Sequence, residues 1–453
     1  MAALVDHEVV IVGAGFAGIG AGIELKKFGI HDFAILEKED DLGGTWRDNT
    51  YPGLAVDVPS IAYSYSFELN PNWSRLYAPG SELKAYADHC VDKYGVRDHI
   101  QFEKTVERAE YDTENNTWSL HLTGGEVVTA RYLVSASGLL LLPKKPDIDG
   151  IDSFQCKLIY SARWDHDCDL TGKRVAVIGT GATAIQLIPA IVERVAQLDV
   201  YQRTAIWLMP KPDVEFSDRT KAAFRRIPGL QRLARVANSL FADLVLGIGL
   251  LHHRQFPFLF RWARRKLVES IRNQVDDPEI QEKLIPRYDF FCKRPSFSNE
   301  YFKVFNRQDV ELVTDPIERI TENAIVTRDG TKREIDVLIC ATGYSYFDRS
   351  SPPAFEVFGK DGENLGDYWD ANRFQAFGGA TLPGFPNFFL VLGPYATAGI
   401  SYFDMINTQV RHLTRCLRAA RRRNANYIEV KQSSHDRDFE MVLRRSRNTI
   451  FGH

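Results

Sequence analysis

The chain has six cysteines, at positions 90, 156, 168, 292, 340 and 416, and none forms a Cys-x-x-Cys pair. That excludes a dense disulfide framework and a thiolate metal site, and it reads as reduced thiols in a cytoplasmic protein. The histidines are scattered, with no His-Glu-x-x-His cluster, so no metal is expected. There is no Gly-x-Ser-x-Gly elbow for acyl transfer and no Walker loop for nucleoside triphosphates. The formal net charge is only −3, too small for bulk attraction to nucleic acid or an anionic membrane, and no base-reading element is present. The chain enters its first strand within about eight residues and carries Asp6 and Glu8 there, a start in which no signal peptide is expected. No apolar run reaches membrane length. The greasiest stretch is Leu244 to Leu251, extendable back to Ala237, and it includes Asp243. Arg232, Arg235, Arg254, Arg261, Arg264 and Arg265 flank it. It reads first as a helix buried in an insertion, and second as an amphipathic element that touches a membrane or guides an apolar substrate.

What remains is an ordinary globular composition of 44% apolar and 25% charged residues over 453 positions, room for about three domains. Within it, two glycine-rich turns lie 166 positions apart. The first, Val-Val-Ile-Val-Gly-Ala-Gly-Phe-Ala-Gly, holds Gly13, Gly15, Phe16, Ala17 and Gly18. The second, Val-Ala-Val-Ile-Gly-Thr-Gly-Ala-Thr-Ala, holds Gly179, Thr180, Gly181, Ala182, Thr183 and Ala184. Each follows a β-branched run and opens a helical pattern, the context in which a helix N-terminus cradles a pyrophosphate. The residue 24 positions beyond the first glycine is Glu37 in one copy and Arg203 in the other. A carboxylate there accepts from free ribose hydroxyls, and an arginine favours a 2′-phosphate. The pair therefore predicts two different dinucleotides, one unphosphorylated at the ribose and one NADP-like.

The predicted fold class is α/β, with two Rossmann-like dinucleotide-binding domains, one inserted in the other, and a helical insertion. Strands are expected at 8–12 and 33–37, helices at 15–28 and 82–94, and an antiparallel β insertion at 102–110 and 117–122. Two apolar strands, Tyr132 to Gly138 and Val337 to Gly343, mark where the chain leaves the first domain and returns to it. The division is thus 1–138 plus 341–453 for the first domain and 139–340 for the second, with the helical insertion at about 214–290. A last buried strand runs from Asn387 to Pro394, and a long helix from about Tyr402 to Arg423. The arginines from Arg411 to Arg423 are expected on a solvated face.

Residues 43–57, Gly-Gly-Thr-Trp-Arg-Asp-Asn-Thr-Tyr-Pro-Gly-Leu-Ala-Val-Asp, resemble a fingerprint of the Baeyer–Villiger monooxygenases, Gly-Gly-x-Trp, four residues, Tyr-Pro-Gly, three residues, Asp. The segment Phe154 to Asp165 resembles that family's other fingerprint at Phe154, Trp164 and Asp165, with Cys156 and Tyr160 where the family has Gly and His. Tyr201-Gln-Arg-Thr204, Cys292-Lys-Arg294 and Ala341-Thr-Gly343 extend the resemblance over nearly the whole chain. Gly393-Pro-Tyr-Ala-Thr-Ala-Gly399 departs from the commoner Gly-Pro-Asn form. Chains of this family usually continue past a point like Phe451.

The resemblance implies FAD and NADPH as cofactors, and insertion of one oxygen atom of O2 beside a ketone carbonyl, through a C4a-peroxyflavin, to give an ester or lactone. It assigns Arg294 as the catalytic cation, since arginine stays protonated and offers a planar fork of donors, and Asp57 as the carboxylate that orients it. It places Lys38, Gly44, Thr45, Trp46, Tyr63 and Val106 at the flavin, besides Gly13 to Gly18, Glu37 and Asp57. Gln186 and Thr204 join Gly179 to Ala184 at the nicotinamide nucleotide, with Arg203 and Lys293 clamping the 2′-phosphate. The expected partners are an apolar ketone, or a sulfide, and O2. The alternatives are an S- or N-oxygenating flavin monooxygenase, and a degenerate FAD-binding protein or NADPH oxidase.

Overall fold

The computed structural model describes all residues except 1–3, 141, 247–251, 253, 346–352, 396–400, 448 and 450–453. The strand His7–Val12 is apolar and β-branched where it is most buried, and it pairs in parallel with Phe33–Leu36 on one side and Val127–Ser135 on the other. Strands buried on both faces read as such continuous apolar runs. Gly13 turns the chain at φ 105°, and a Cβ there would stand 2.7 Å from the Ala136 carbonyl oxygen. The helix Phe16–Lys27 follows and lies so close to the turn that a methyl on Gly18 would collide with the Gly13 carbonyl.

Val127–Ser135 is shared between two partners. Its first half pairs antiparallel with Thr117–Leu122, and its second half pairs parallel with Phe388–Leu390. The parallel part of the first sheet therefore runs Phe388–Leu390, Val127–Ser135, His7–Val12, Phe33–Leu36, Ile100–Gln101, with the predicted antiparallel insertion at its flank. The second sheet is parallel throughout and repeats four of those positions with Val337–Cys340, Arg174–Ile178, Gln197–Tyr201 and Val310–Val313, but its outer strand, Lys157–Tyr160, precedes the unit in the chain instead of following it. Gly179 matches Gly13, with φ 123° and the Ala341 carbonyl where a Cβ would go. A three-stranded antiparallel meander, Ile317–Ile320, Ala324–Thr327 and Lys332–Glu334, precedes the return strand here, as the hairpin does in the first half. The chain is thus a doubled, doubly wound α/β unit.

The strands expected to run on to Gly138 and Gly343 stop earlier, at Ser135 and Cys340. Both glycines adopt positive φ, 83° and 76°, which turns the backbone out of the ladder. The helix Tyr402–Arg423 forms as expected, and its arginines at 411, 415, 418 and 421–423 are exposed.

The insertion folds into the helices Asp218–Arg226, Leu230–Leu246, Pro257–Gln274 and Pro278–Leu284. Over its described part, up to Val245, the greasy stretch is not the buried helix expected. Leu240, Phe241 and Leu244 are 64%, 67% and 61% exposed, because the polar side of Leu230–Leu246 is the side tied to the body. Residues 247–251 of the greasy stretch lie outside the described residues, as do residues 396–399 of the segment after Gly393, and Phe451.

Candidate active site

Both glycine turns open onto one cleft of about 1270 Å³, larger than the ~300–1,000 Å³ of a single small-molecule pocket. Neither helix that starts there carries a side-chain cap: Phe16–Lys27 begins at Gly15 and Ala182–Ile191 at Gly181. Their first backbone N–H groups are the donors that a phosphate anion satisfies. The two cradles differ in charge at the strand ends. Glu37 is buried, and its carboxylate accepts from the backbone N–H of Ala14 at 2.8 Å and of Glu39 at 3.1 Å. Arg203 is exposed, beside Thr204, whose carbonyl receives the Thr180 hydroxyl at 2.8 Å.

All but two of the residues expected at the site line this cleft: Gly13, Gly15, Phe16, Ala17, Glu37, Lys38, Gly44, Thr45, Trp46, Asp57, Tyr63, Val106, Gly179, Thr180, Gly181, Ala182, Thr183, Gln186, Arg203, Thr204, Lys293 and Arg294. Gly18 and Ala184 do not. They lie beneath their helices at the contact with the sheet, where Gly18 has no room for a methyl and Ala184 is fully buried. Their role is packing, which brings the helix end up to the turn.

The segment 43–57 runs from one cradle to the other. Gly44 abuts Gly15, and a Cβ on it would lie 3.1 Å from the Gly15 Cα. Nine residues on, Gly53 at φ 81° presses on the helix Ala182–Ile191 so closely that a methyl would strike the Gln186 carbonyl. The Gln186 side chain then clasps this segment. Its amide donates to the Ala55 carbonyl at 3.0 Å, and its oxygen accepts from the Ala55 N–H and the Tyr51 hydroxyl, each at 3.2 Å. Burial pushes the Tyr51 hydroxyl well above its ordinary pKa, so it stays a donor.

The other fingerprint packs on the same seam. Arg163 reaches Glu39 at 2.8 Å and Asp48 at 3.7 Å, and His166 meets the Thr50 hydroxyl at 2.8 Å. Arg47, which sequence reasoning missed although it sits inside the glycine-rich fingerprint, joins Glu37 at 3.3 Å and Asp48 at 2.5 Å. Tyr160 stands at the end of the edge strand Lys157–Tyr160, opposite Cys340, and packs with Phe154 and Leu158 on an apolar cluster. Burial raises its hydroxyl pKa.

At the far side of the cleft, Arg294 Nη2 meets Asp57 Oδ2 at 2.9 Å. Arg294 is carried by a loop pinned at its base, where Trp207 Nε1 donates to the Tyr288 carbonyl at 3.0 Å and Leu208–Met209 pairs with Ser296–Phe297. Lys293 lies over the Tyr288 ring, 5.0 Å from its centre. Beside the ion pair stand Tyr63 and Tyr402, both raised in pKa by burial and both within the field of Asp57 and Arg294. Tyr402 was not foreseen, because only the fold brings the start of its helix to this place. Trp46 Nε1 donates to the Tyr63 hydroxyl at 3.3 Å, and Phe16, Tyr63 and Phe403 pack edge to face or tilted around it.

The pyridine nucleotide-disulphide oxidoreductase family model matches residues 10–232, although all six cysteines here are free. A solved chain described as OTEMO in complex with FAD and NADP superposes with a TM-score of 0.88 at 29% identity, over 99% of this chain and 92% of that one. A cyclohexanone monooxygenase with ε-caprolactone bound gives a TM-score of 0.86 at 28% identity, over 98% and 94%. A Baeyer–Villiger monooxygenase of Pseudomonas aeruginosa is 39% identical over 446 residues, covering 98% of this chain and 83% of that protein. With two unlike dinucleotide cradles opening on one cleft and a likeness of that extent, the chain belongs to the Baeyer–Villiger monooxygenase family.

Proposed function

We propose that the chain is a FAD-dependent, NADPH-consuming monooxygenase that inserts one atom of O2 beside the carbonyl of an apolar ketone, giving an ester or lactone. The turn at Gly13 holds FAD, with Glu37 on its ribose hydroxyls. The turn at Gly179 holds NADPH, with Arg203 and Lys293 on its 2′-phosphate. The corresponding domains are 1–138 plus 341–453 for FAD and 139–340 for NADPH. The six free thiols fit a reducing compartment such as the cytoplasm, and no helix among the described residues is long and apolar enough to cross a membrane.

The cofactors supply the redox chemistry: hydride from NADPH, and activation of O2 by the reduced flavin. The chain supplies position and charge. Arg294 donates to the oxygen that becomes anionic as the carbonyl is attacked, a contribution of roughly 2.7–4 kcal/mol for one preorganised donor. Asp57 holds the guanidinium fork in place and balances its charge in the resting site. Tyr63 and Tyr402, kept neutral by burial, border the reacting region without adding charge. The aromatic wall of Phe16, Trp46, Tyr63 and Phe403 shields it from water.

The observation that carries this reading is the Arg294–Asp57 ion pair in the cleft shared by both cradles. The test is anaerobic reduction of the yellow protein by NADPH, then mixing with O2 and a panel of ketones and sulfides. Esters or lactones formed in proportion to NADPH support it. Sulfoxides alone, or hydrogen peroxide with every candidate, overturn it.

A further inference from the structure

The helix Leu230–Leu246 is mounted inside out. A surface helix ordinarily turns its apolar stripe to the core and its polar face to water. Here the inner side is polar. Gln231 Nε2 donates to the Asn70 carbonyl at 2.6 Å. Arg235, only 6% exposed, donates to the Ser64 carbonyl and pairs with Asp404 at 2.6 Å. The outer side carries Leu233, Val236, Leu240, Phe241 and Leu244, all exposed. Phe258 and Trp262 are exposed early in the next helix, Pro257–Gln274. Monomeric proteins rarely present so many large apolar groups together without a use for them.

Charge says what covers this face. Between Arg219 and Lys266 the chain has eleven lysines and arginines against one carboxylate, Asp243, whereas the whole chain sums to −3. Nine of the eleven are exposed, Arg232, Arg261 and Arg265 among them. Exposed leucines with Phe and Trp, flanked by arginines, match the boundary between acyl chains and anionic headgroups. A second copy in a two-fold contact would set like charges against one another. An amphipathic stripe of this kind suits a contact on the surface of the bilayer.

We propose that the outer face of Leu230–Leu246, with its flanking cations, docks the protein on an anionic phospholipid bilayer. The docking also orients the enzyme. Arg235 ties the helix to Ser64 and Asp404, which adjoin Tyr63 and Phe403 in the wall of the cleft. The docked helix is thereby tied directly to the wall of the cleft.

Co-sedimentation of the flavin-loaded protein with vesicles tests this. The protein is expected to bind phosphatidylcholine vesicles containing phosphatidylglycerol, to bind pure phosphatidylcholine weakly, and to be released by raised salt. Leu240→Ser combined with Phe241→Ser lowers the partition coefficient by about tenfold or more and leaves the rate of flavin reduction by NADPH unchanged. Arg261→Gln with Arg265→Gln removes the preference for anionic lipid. Failure of the native protein to bind mixed vesicles, or equal binding by the Leu240/Phe241 variant, overturns the proposal. A dimer in light scattering that the same variant dissociates assigns the face to a second copy instead, and also overturns it.

Discussion

Arg294 and Asp57 lie far apart in sequence and meet at 2.9 Å across the cleft that both cradles share. At 55% and 34% side-chain exposure the pair adds little to stability, so its value lies in aiming a cation. Arg294→Ala is expected to lower kcat for ketone oxygenation by about 10²- to 10³-fold. Reduction of the flavin by NADPH persists in that variant, because neither cradle is altered. Product analysis together with anaerobic stopped-flow reduction checks the split.

The opposite charges at Glu37 and Arg203 predict separable losses. Arg203→Ala reduces the preference for NADPH over NADH by about tenfold to a hundredfold, the worth of one charge-assisted hydrogen bond, measured as the ratio of kcat/KM for the two nucleotides.

The two turns admit no side chain, for the same reason in each. Gly13→Ala forces a methyl against Ala136 and is expected to give protein with little bound flavin. Gly179→Ala forces one against Ala341 and is expected to give protein that is yellow but poorly reduced by NADPH. Flavin content by absorbance, beside the reduction rate, tells them apart.

Gly53→Ala combines an unfavourable φ of 81° with a collision at the Gln186 carbonyl. A loss of about 1–3 kcal/mol is expected, seen as a lower midpoint in thermal unfolding. Gln186→Ala loses the clasp without the strain and has a milder effect on the same melt.

Arg163 hydrogen-bonds Glu39 and holds its carboxyl below the ordinary value of 4.5. A carboxylate lowered on folding contributes stability above its unfolded pKa and loses it as pH falls through the folded one. Glu39→Gln is therefore expected to cost less than about 1 kcal/mol at neutral pH, given solvent screening. The difference from the native chain begins to shrink as the pH drops below 4.5 and is gone only once the pH has fallen through the lower, folded value. Urea melts across that range measure it.

The doubled nucleotide unit was legible because it rests on local constraints. A backbone turning at positive φ against a neighbouring carbonyl accepts only glycine, and the β-branched run before it has few other folds. Long-range choices were not legible. Gln186 was expected at the nicotinamide nucleotide, and it lines the cleft, but its hydrogen bonds go to Ala55 and Tyr51, which periodicity cannot reveal. Gly18 and Ala184 belong to the motif, yet they act at the contact of helix and strand. The apolar run from Ala237 to Leu251 was visible in the sequence. Which side would face inward depended on Arg235 finding Asp404, 169 positions away.

Only nine positions separate the glycine touching one cradle from the glycine bearing on the other's helix. Such a short arm, seated at both ends, offers a direct route by which a shift at one end reaches the other. If filling one nucleotide seat moves this arm, affinity at the neighbouring seat changes too, and thermodynamic linkage requires the factor to be identical in both directions.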